Sequence, residues 1–429
     1  MFKNNSHEKS LTARKLLIID ASYALEAIRT RGLEDSVTCR DLGGFFEHVW
    51  TVHPFATLVT SKKWTSRYGK SEWHILAPEH TFIEGKVGRF FILRAFTGLN
   101  FFLSQLSIFV SLVRLIRKEK ISVIRVGDPH YLGFFGWALS RLCGILLAVR
   151  VAANYDLNYM ITDKIGSPRL FRARWVEKIF EQFVLKRSDL VVCASYDNLG
   201  FVRANGARPE KSTLFRYGNL IDKKHLVDPQ DRPDGRPLLK ELGLESGRFL
   251  MNIGRLEGLK HPDHVLRILA AIRGRGHEIK AVLVGEGELY GPLIELAQEL
   301  GVQDQVLLCG KQNQQWLATL IPYAAVIVSP ITGRALTEAA FGAAPIVAYD
   351  LDWQSELIQT GVTGELVTPI EWGNMADAVE RFLTNPSYAR AMGNAVRQRA
   401  LEMMDPEILN QHERSVYLKL FHGVSQDVI

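Results

Sequence analysis

The feature that most constrains this chain is an alternation of short, β-branched apolar runs with longer segments of helical periodicity. Five runs in the first half are predicted to be strands: Lys15–Asp20, His48–His53, Ile121–Gly127, Leu146–Ala152 and Leu190–Ser195. Five more follow in the second half: Arg248–Gly254, Lys280–Gly285, Gln305–Gly310, Ala325–Pro330 and Pro345–Asp350. Strands that alternate with helices form parallel sheets with crossover helices, so the pattern predicts an α/β fold.

A stretch rich in proline, glycine and charge divides the two series. It covers residues 226–247 and has the composition of a linker. A chain of 429 residues is long enough for two domains. We therefore predict two Rossmann-like doubly wound domains, an acceptor domain in residues 1–225 and a donor domain in residues 248–404. A C-terminal helix in residues 405–429 is expected to pack back on the first domain.

The net charge of +6 is unevenly distributed along the chain. Residues 1–247 hold 37 Lys and Arg against 25 Asp and Glu, whereas residues 248–429 hold 15 against 21. A basic half joined to an acidic half favours an anionic partner, such as phospholipid, a phosphorylated acceptor or nucleic acid. No DNA- or RNA-binding motif accompanies the charge, so nucleic acid is not expected as a partner.

Two apolar stretches, Gly98–Lys118 and Tyr131–Val149, approach the length of a membrane span. Polar residues at helical spacing interrupt both, so buried helices are expected and no span is predicted. Four well-separated cysteines without a CxxC pair indicate neither a disulfide framework nor a zinc site. This cysteine pattern is typical of proteins in a reducing compartment. Residues 1–15 are polar and lack the apolar core of a secretory signal, so a cytoplasmic protein is expected.

The loop after the first strand of the second series carries two cations beside a glycine. Gly254 ends the strand, and Arg255 and Lys260 follow it. Two cations between a strand end and a helix start suit a diphosphate, although a solvated charged loop has the same composition. The next strand ends in "VGEGELYG", and its GxGxxxG spacing and acidic Glu286 disfavour a dinucleotide site. Gly285 is expected to form a tight strand-to-helix turn there.

The stretch "SPITGRALTEAAFGAAPIVAYD" places one carboxylate in a helix of small residues between two strands. Thr332 is expected to cap this helix, and Gly333 to leave its backbone amide open to a ligand. Glu338 lies four residues after Arg334, so the two share a helix face. Glu338 can accept hydrogen bonds from the two hydroxyls of a ribose. The alternative is a surface ion pair with Arg334.

Other catalytic arrangements are not visible in the sequence. Asp350 and Asp352 form a DxD pair that could bind a metal, but no third ligand stands out. A turn is therefore preferred for this pair, and no metal is predicted. No Ser-His-Asp or HExxH arrangement can be identified.

The order of these pieces resembles the C-terminal half of the retaining glycosyltransferases of family 4 (glycosyl transferases group 1). The resemblance is strong from Phe249 to about Leu401 and weak over the first half. It is carried by "NIGRLEGLKHPD", "VLVGEGEL", "GVQDQVLLCGK", "VSPITGRALTEAAFGAAPIVAYD" and "ELIQTGVTGELV". It implies the GT-B fold, in which two Rossmann-like domains face each other across a cleft.

The resemblance also assigns roles to individual residues. Arg255 and Lys260 match the cations that hold the donor diphosphate and are the predicted catalytic residues. Glu338 matches the ribose-binding glutamate, and Glu356 matches a later glutamate of the family. The predicted donor-binding residues are Gly254, Gly285, Glu286, Thr332, Gly333, Arg334, Ala335, Leu336 and Glu338. The acceptor-side candidates are Asp128, His130, Asn154 and Asp156.

Two departures from the family pattern concern contacts to the transferred sugar. Pro330 stands where the family usually has the first glutamate of a Glu-x7-Glu motif, and the loop "ITGR" is shorter than usual. The stretch "RVAANYD" offers no histidine where the family often has one. The missing glutamate favours an alternative in which the chain is a degenerate sugar-nucleotide-binding partner of another transferase. A GT-B sugar-nucleotide epimerase or a phosphorylase-like enzyme is a further alternative.

The main expectation from the resemblance is a retaining, metal-independent hexosyltransferase that needs no cofactor. Its donor is a nucleotide-diphosphate sugar, with UDP or GDP expected as the nucleotide. Its acceptor is a glycan, a lipid-linked or a phosphorylated molecule of bacterial cell-envelope or polysaccharide synthesis. The basic first domain, through the aromatic and basic-ended segment Phe90–Lys120, is expected to hold the protein at the inner face of the membrane.

Overall fold

The computed structural model describes residues 14–60, 66–167 and 170–424, so the first thirteen residues lie outside it. The first sheet contains β1 (Lys15–Ile19), β2 (His48–His53), β3 (Glu72–Ala77), β4 (His80–Glu84), β5 (Val123–Val126), β6 (Leu146–Val151), β7 (Leu190–Cys193) and β8 (Ser212–Leu214). Its strand order is β3-β4-β2-β1-β5-β6-β7-β8. Neighbouring strands are parallel except in the β3–β4 hairpin at one edge.

The second sheet contains β9 (Phe249–Ile253), β10 (Lys280–Val284), β11 (Val306–Leu308), β12 (Val326–Ser329), β13 (Ile346–Tyr349) and β14 (Glu365–Val367). Its order is β11-β10-β9-β12-β13-β14, and every neighbouring pair is parallel. The strand order reverses direction beside β9, which makes the loops after β9 and β12 neighbours at the carboxyl edge.

Helices connect these strands. In the first half they are α1 (Leu25–Arg31), α2 (Glu34–Thr38), α3 (Thr97–Glu119), α4 (Tyr131–Cys143), α5 (Tyr155–Thr162), α6 (Arg174–Arg187) and α7 (Tyr196–Ala204). Between the sheets and in the second half they are α8 (Lys223–Leu226), α9 (Arg236–Glu241), α10 (Pro262–Gly274), α11 (Tyr290–Glu299), α12 (Gln314–Leu320), α13 (Arg334–Phe341), α14 (Gln354–Leu357), α15 (Trp372–Thr384), α16 (Pro386–Met404) and α17 (Pro406–Val424).

The first sheet is covered on both faces, which explains its continuous apolar strands. Along β1, Leu17 and Ile19 belong to the core shared with α3, α4 and α6, whereas Leu16 and Ile18 face the opposite side. Tyr417 of α17 is buried against that opposite side. The last helix therefore packs on the first domain.

All ten strands expected from the apolar runs are present. The short strands β8 and β14 and the β3–β4 hairpin were not predicted. Strand β3 is an edge strand whose Trp73 and Ile75 are exposed, and β8 and β14 have three residues each. Such strands carry too few apolar residues to stand out from their surroundings.

The chain crosses between the two sheets twice, and the two crossings touch. The first crossing follows β8, and the second joins α16 to α17. A Cβ on Gly218 would lie 2.2 Å from the carbonyl oxygen of Met404, so a glycine is required where the crossings meet. The proline-rich segment 226–247 contains α9, and its Leu239 and Leu244 belong to the second core. The exact domain limits stay a prediction.

The two apolar stretches behave differently. Tyr131–Val149 becomes α4 and most of β6, and Leu132 and Leu139 of α4 are buried as expected. Helix α3 is buried on one face only. Its outer face is exposed although it is apolar, which differs from the expected buried helix. Among the described residues, α3 alone is long and apolar enough to cross a membrane by length and composition.

Candidate functional site

A cavity of about 210 Å³ lies between the two domains at the carboxyl ends of their strands. The first domain contributes residues that follow β6 and β7, among them Ala153 and Ser195. The second contributes residues from the loops after β9, β12 and β13, including Lys260, Gly333 and Asp352. Two loops predicted from sequence to bind the donor therefore meet in one wall of this cavity.

The β9 loop supplies the cations of the cavity. Gly254 continues the sheet by donating its amide to the Val284 carbonyl at 3.0 Å. Arg255 lines the cavity, but its side chain is 72% exposed and pairs with Glu257 at 3.0 Å. Lys260 ends a 3₁₀ turn and also lines the cavity. Of the two predicted catalytic residues, Arg255 is thus the solvated one and Lys260 the partly buried one.

The charge and partial burial of Lys260 favour the binding of an anion. Burial lowers the pKa of Lys260, and the positive charge of Arg255 adds to this effect. The carboxylate of Asp352 opposes it. Within the described part of the chain, Lys260 forms no ion pair. A partly desolvated ammonium group without a close carboxylate gains free energy when an anion enters the cavity.

The glycines after β10 serve contact between loops. Gly285 has a φ of 153°, and a Cβ there would lie 1.7 Å from the Gly254 carbonyl oxygen. Its amide donates to the Gly310 carbonyl at 2.8 Å, and the Glu286 carbonyl accepts from Leu256 at 3.0 Å. The second bond holds the β9 and β10 loops together, and the first ties the β10 loop to the loop after β11, as a tight turn requires. Gly285 and Glu286, both predicted donor contacts, support the cavity wall without being among the residues that line it.

The helix after β12 begins one residue later than predicted. Gly333, not Thr332, occupies the N-cap position of α13, and no side chain caps this helix. Thr332 is buried because its amide donates to Gln354 at 3.2 Å and its carbonyl accepts from Trp353 at 3.1 Å. The expectation that Thr332 caps the helix was therefore wrong, since the Thr332 hydroxyl bonds the Ser329 hydroxyl instead of an amide of α13. The N-terminal end of α13 faces the cavity through Gly333.

The next two predicted donor contacts face the protein interior. Leu336 is 1% exposed and belongs to the second core, and Ala335 packs against the same core. Only their backbone groups, at the first turn of α13, are therefore suited to meet a ligand.

Glu338 and Arg334 contact each other. Arg334 Nε lies 3.1 Å from Glu338 Oε1, and Arg334 also donates to the Leu220 carbonyl at 3.4 Å. The Glu338 side chain is 4% exposed, so the pair is largely buried rather than a surface pair. Neither side chain is among those that line the cavity. The ribose-binding role of Glu338 stays a prediction.

Asp352 is a cavity residue that the sequence analysis assigned to an ordinary turn. It has a φ of 58° and lines the cavity together with Lys260. Burial, reinforced by the charge of Asp197, raises the pKa of Asp352 to about 6, while Lys260 lowers it. Its DxD pattern was the available signal, but that pattern suggested a metal pair. Asp350, the other member, is exposed.

Glu356 joins the two domains beside the cavity. Its Oε1 accepts from the Tyr196 amide at 2.6 Å, and its Oε2 accepts from Arg216 at 2.6 Å. The side chains of Glu356 and Arg216 are 13% and 12% exposed. Arg399 donates to the Glu356 carbonyl from α16. The glutamate identified through the family resemblance therefore fixes the start of α7 against the second domain.

Two acceptor-side candidates follow β5. The amide of His130 donates to Asp128 at 2.8 Å, and burial raises the pKa of Asp128. The imidazole of His130 is fully buried, 3.3 Å from Glu181 and 3.8 Å from Glu177. Arg174 binds both of these glutamates. His130 thus belongs to a buried ion network inside the first domain.

The other two acceptor-side candidates lie at the start of α5. Asn154 caps this helix by accepting from the Leu157 amide at 3.1 Å. Asp156 accepts from Arg174 at 2.7 Å and from Lys178. Neither Asn154 nor Asp156 is among the cavity-lining residues, and the same holds for Asp128 and His130. The structure therefore does not bring these four side chains to the donor loops.

Two groups of potential metal ligands occur among the described residues. One consists of His261, Asp263 and His264, and the other consists of Glu72, His74 and Glu84. In the first group, His264 Nδ1 is 2.7 Å from the Tyr349 hydroxyl. No member of either group lines the cavity.

Comparisons with known proteins support the family resemblance of the second domain. Residues 238–399 match the family model of glycosyl transferases group 1. The alpha-D-kanosaminyltransferase of Streptomyces kanamyceticus is 23% identical over 60% of this chain and 67% of its own length. The D-inositol 3-phosphate glycosyltransferase of Nocardia farcinica is 30% identical over 44% of this chain, and the match spans only 46% of that relative. The resemblance to group 1 is thereby confirmed for the second domain.

Similar solved structures extend over nearly the whole chain. HepE of Anabaena in complex with UDP has a TM-score of 0.69 at 17% identity, covering 94% of this chain and 100% of that one. The sucrose-phosphate synthase of Thermosynechococcus elongatus has a TM-score of 0.71 at 17% identity, covering 96% and 100%. At these identities the likeness concerns the fold alone, and it confirms the predicted GT-B fold.

Proposed function

We propose that this chain, whose second domain is that of a group 1 glycosyl transferase, moves a sugar from a nucleotide-diphosphate sugar to a hydroxyl group with retention of configuration. The observation that carries the proposal is the interdomain cavity lined by Arg255 and Lys260. The leaving diphosphate gains negative charge in the transition state. Cations placed where that charge develops lower the barrier.

Lys260 and Arg255 divide this task. Lys260, partly desolvated and without an ion-pair partner among the described residues, is the stronger electrostatic contact because water screens it less. Arg255 is more exposed and would leave Glu257 to bind a phosphate. The start of α13, at Gly333, adds backbone amides to the same wall. A donor phosphate would thus be held by side chains and by a helix terminus.

Retention requires that the acceptor hydroxyl attack the anomeric carbon from the same face from which the leaving group departs. In this mechanism the leaving phosphate oxygen accepts the proton of the acceptor hydroxyl, so no dedicated protein base is needed. The buried position of His130 beside Glu181 agrees with this, since its imidazole is not among the groups that line the cavity. Asp352 lines the cavity and has a raised pKa, so it is a candidate for a hydrogen bond to the sugar.

The nucleotide is expected to be UDP or GDP, and the acceptor a glycan, lipid-linked or phosphorylated molecule of cell-envelope or polysaccharide synthesis. UDP is the ligand in the HepE structure, which supports testing it first. Glu338 would bind the ribose only after its ion pair with Arg334 breaks, because that pair holds the Glu338 carboxylate in this structure.

A second candidate is a sugar-nucleotide-binding partner that has lost transfer activity. It is favoured by Pro330, which stands in place of a family glutamate, and by the closed Arg334–Glu338 pair. Both features concern the donor sugar and ribose rather than the diphosphate. This candidate predicts nucleotide binding without turnover.

Thermal unfolding with UDP, GDP, dTDP and ADP and with their sugars tests the nucleotide. At about 100 times its dissociation constant, the correct one stabilises the fold by about 2.7 kcal/mol. Incubation of the matching donor with hydroxyl acceptors, followed by NMR of the anomeric proton, then tests transfer. An α-linked product from an α-linked donor supports retention. Binding without transfer or hydrolysis would favour the second candidate, and no stabilisation by any nucleotide would refute both.

A further inference from the structure

The outer side of α3 and the loop before it form an exposed apolar surface. We call this surface the apolar ridge and define it by Phe91, Ile92, Phe96, Leu99, Phe102 and Leu106. Their exposed fractions run from 47% at Leu106 to 86% at Ile92. Single exposed apolar residues are common, but six within sixteen positions form a patch that soluble surfaces seldom carry.

The polarity of α3 is inverted in its first half. Asn100, Ser104 and Gln105 are buried against the protein, whereas Leu99, Phe102 and Leu106 point to solvent. A helix that packs on a soluble core buries its apolar side and exposes its polar side. Further along, Leu112 and Ile116 are buried in that normal way. The inversion is therefore confined to the part of α3 that carries the ridge.

The buried polar residues hold the ridge in place. Asn100 accepts from the amides of Arg89 and Phe90 and donates to the Phe90 carbonyl, all within 2.9 Å. Ser104 donates to the Lys86 carbonyl at 2.6 Å. These bonds fasten the preceding loop to α3. The exposed side chains thus stand on a fixed backbone, and their exposure does not come from a loose segment.

The charges around the ridge have one sign. From residue 87 to residue 118 the sequence contains five cations and no acidic residue. Arg94 lies over the Phe91 ring at 4.8 Å, and Arg114 and Arg117 are exposed further along α3. Two copies of this surface would bring like charges together, so it is not complementary to itself. It is complementary to an anionic surface that also accepts apolar side chains.

The ridge lies at the carboxyl edge of the first sheet. Gln105 donates to the carbonyl of Pro54, which directly follows β2, at 3.1 Å. It also accepts from Tyr131 at the start of α4, after β5, at 2.9 Å. The first half of α3 therefore lies beside the carboxyl ends of β2 and β5, on the same edge of the sheet as the cavity-lining residues that follow β6 and β7.

We propose that the apolar ridge and its flanking arginines insert into the surface of an anionic lipid bilayer, so that the protein works as a peripheral membrane protein at the cytoplasmic face. The aromatic and aliphatic side chains would enter the boundary between head groups and acyl chains, and the arginines would meet lipid phosphates. The buried side of α3 stays on the sheet, so the helix lies along the membrane. This goes beyond the proposed sugar transfer and does not depend on it.

Vesicle flotation with the full chain tests this proposal. Binding is expected to vesicles of phosphatidylcholine with 30% phosphatidylglycerol at low salt, and little to phosphatidylcholine alone. The charge-dependent part should fall in 1 M salt, where the screening length is about 3 Å. Replacing Arg94, Arg114 and Arg117 by Ser should lower the partition coefficient on the order of 100-fold, from about fivefold for each cation.

A second set of variants separates the apolar contribution. Phe91→Ser with Ile92→Ser should reduce flotation on anionic vesicles at least tenfold without lowering the thermal unfolding midpoint, since both side chains are exposed. Ile75→Ser is the matched control, because Ile75 is 78% exposed on the edge strand β3. It should leave flotation unchanged.

The contrary outcomes are equally specific. No flotation of the wild-type chain on anionic vesicles at low salt would refute the proposal. Equal losses from Ile75→Ser and from the Phe91 and Ile92 changes would also refute it, because the ridge would then have no special role. A dimer in light scattering that the ridge variants convert to a monomer, without vesicle binding, would assign the ridge to a second copy of the chain. Nucleotide-dependent stabilisation is measured separately, so failure of flotation leaves the proposed transferase function standing.

Discussion

The two domains present their strand ends to the shared cavity in different ways. In the second domain, residues close in sequence line the cavity: Arg255 and Lys260 come from the loop after β9, and Gly333 and Asp352 from the loops after β12 and β13. In the first domain, the charged and polar side chains after β5 do not line the cavity but bond to distant residues inside the domain, as His130 does with Glu181, 51 positions away. A donor site made of local loops leaves motifs in a sequence, whereas a domain ordered by long-range ion pairs does not.

Lys260→Ala should give the largest effect and is the sharpest test of the donor side. Removing one donor that stabilises developing negative charge typically lowers turnover about 10²–10³-fold. Stability should change little, since Lys260 is partly desolvated and has no ion-pair partner within the described residues. The measurement is kcat with a working donor, alongside thermal unfolding.

The exposed Lys240 of α9 offers a matched control for this substitution. Lys240→Ala should keep wild-type turnover. If Lys260→Ala also keeps it, the diphosphate does not sit at the β9 loop, and the donor assignment would have to move to another wall of the cavity.

Glu356→Ala tests the contact that holds the two domains together. Removing a buried carboxylate leaves Arg216 uncompensated and the Tyr196 amide without its acceptor. The expected loss in the free energy of unfolding is roughly 3 kcal/mol. Chemical denaturation measures it.

A solvated interdomain pair gives the comparison for Glu356. Lys164 and Glu288 are 2.9 Å apart, with side chains 68% and 60% exposed. Glu288→Ala should therefore cost less than about 1 kcal/mol, as exposed pairs do. Similar losses from the two substitutions would contradict the view that Glu356 anchors the interface.

This contrast also explains what the sequence could and could not predict. The strands around the cavity were predictable, because apolar runs such as Phe249–Ile253 are buried on both faces. The β9 loop was predictable because its cations and glycine lie within seven residues. The raised pKa of Asp352 was not, because it depends on burial and on the charges of Asp197 and Lys260, which only the fold brings near. The pairing of Arg334 with Glu338 was predicted as an alternative, but the sequence cannot show that Glu338 is buried.

Asp352→Asn tests whether burial of the ionised Asp352 carboxylate lowers the free energy of unfolding. The pKa of Asp352 is raised to about 6, so the folded state binds this proton more tightly than the unfolded state. The associated stability is present below about pH 4 and is lost as the pH rises through 6. Asn cannot ionise and tolerates the φ of 58°.

The variant should therefore gain about 1–3 kcal/mol in the free energy of unfolding at pH 8 relative to wild type. The gain should shrink towards pH 4. Thermal and chemical unfolding between pH 4 and pH 8 measure it. A difference that does not vary with pH would mean that Asp352 titrates normally and that the cavity is more solvated than its lining suggests.

Arg334→Ala is expected to have the smallest effect on nucleotide binding, because the Arg334 side chain contacts Glu338 and is not among those that line the cavity. Arg334 Nε is 3.1 Å from Glu338 Oε1, and its guanidinium also bonds the Leu220 carbonyl. Loss of Arg334 leaves the largely buried Glu338 carboxylate without its partner and should cost about 1–3 kcal/mol in stability. Glu338→Ala should weaken nucleoside diphosphate binding by roughly 1.5–3 kcal/mol if Glu338 binds the ribose.

Calorimetry of nucleotide binding to both single variants and to the double variant then decides whether Arg334 acts through Glu338. If Arg334 only positions Glu338, the double variant binds as the Glu338 variant does. If the two losses add, Arg334 contacts the donor itself and belongs to the site in its own right.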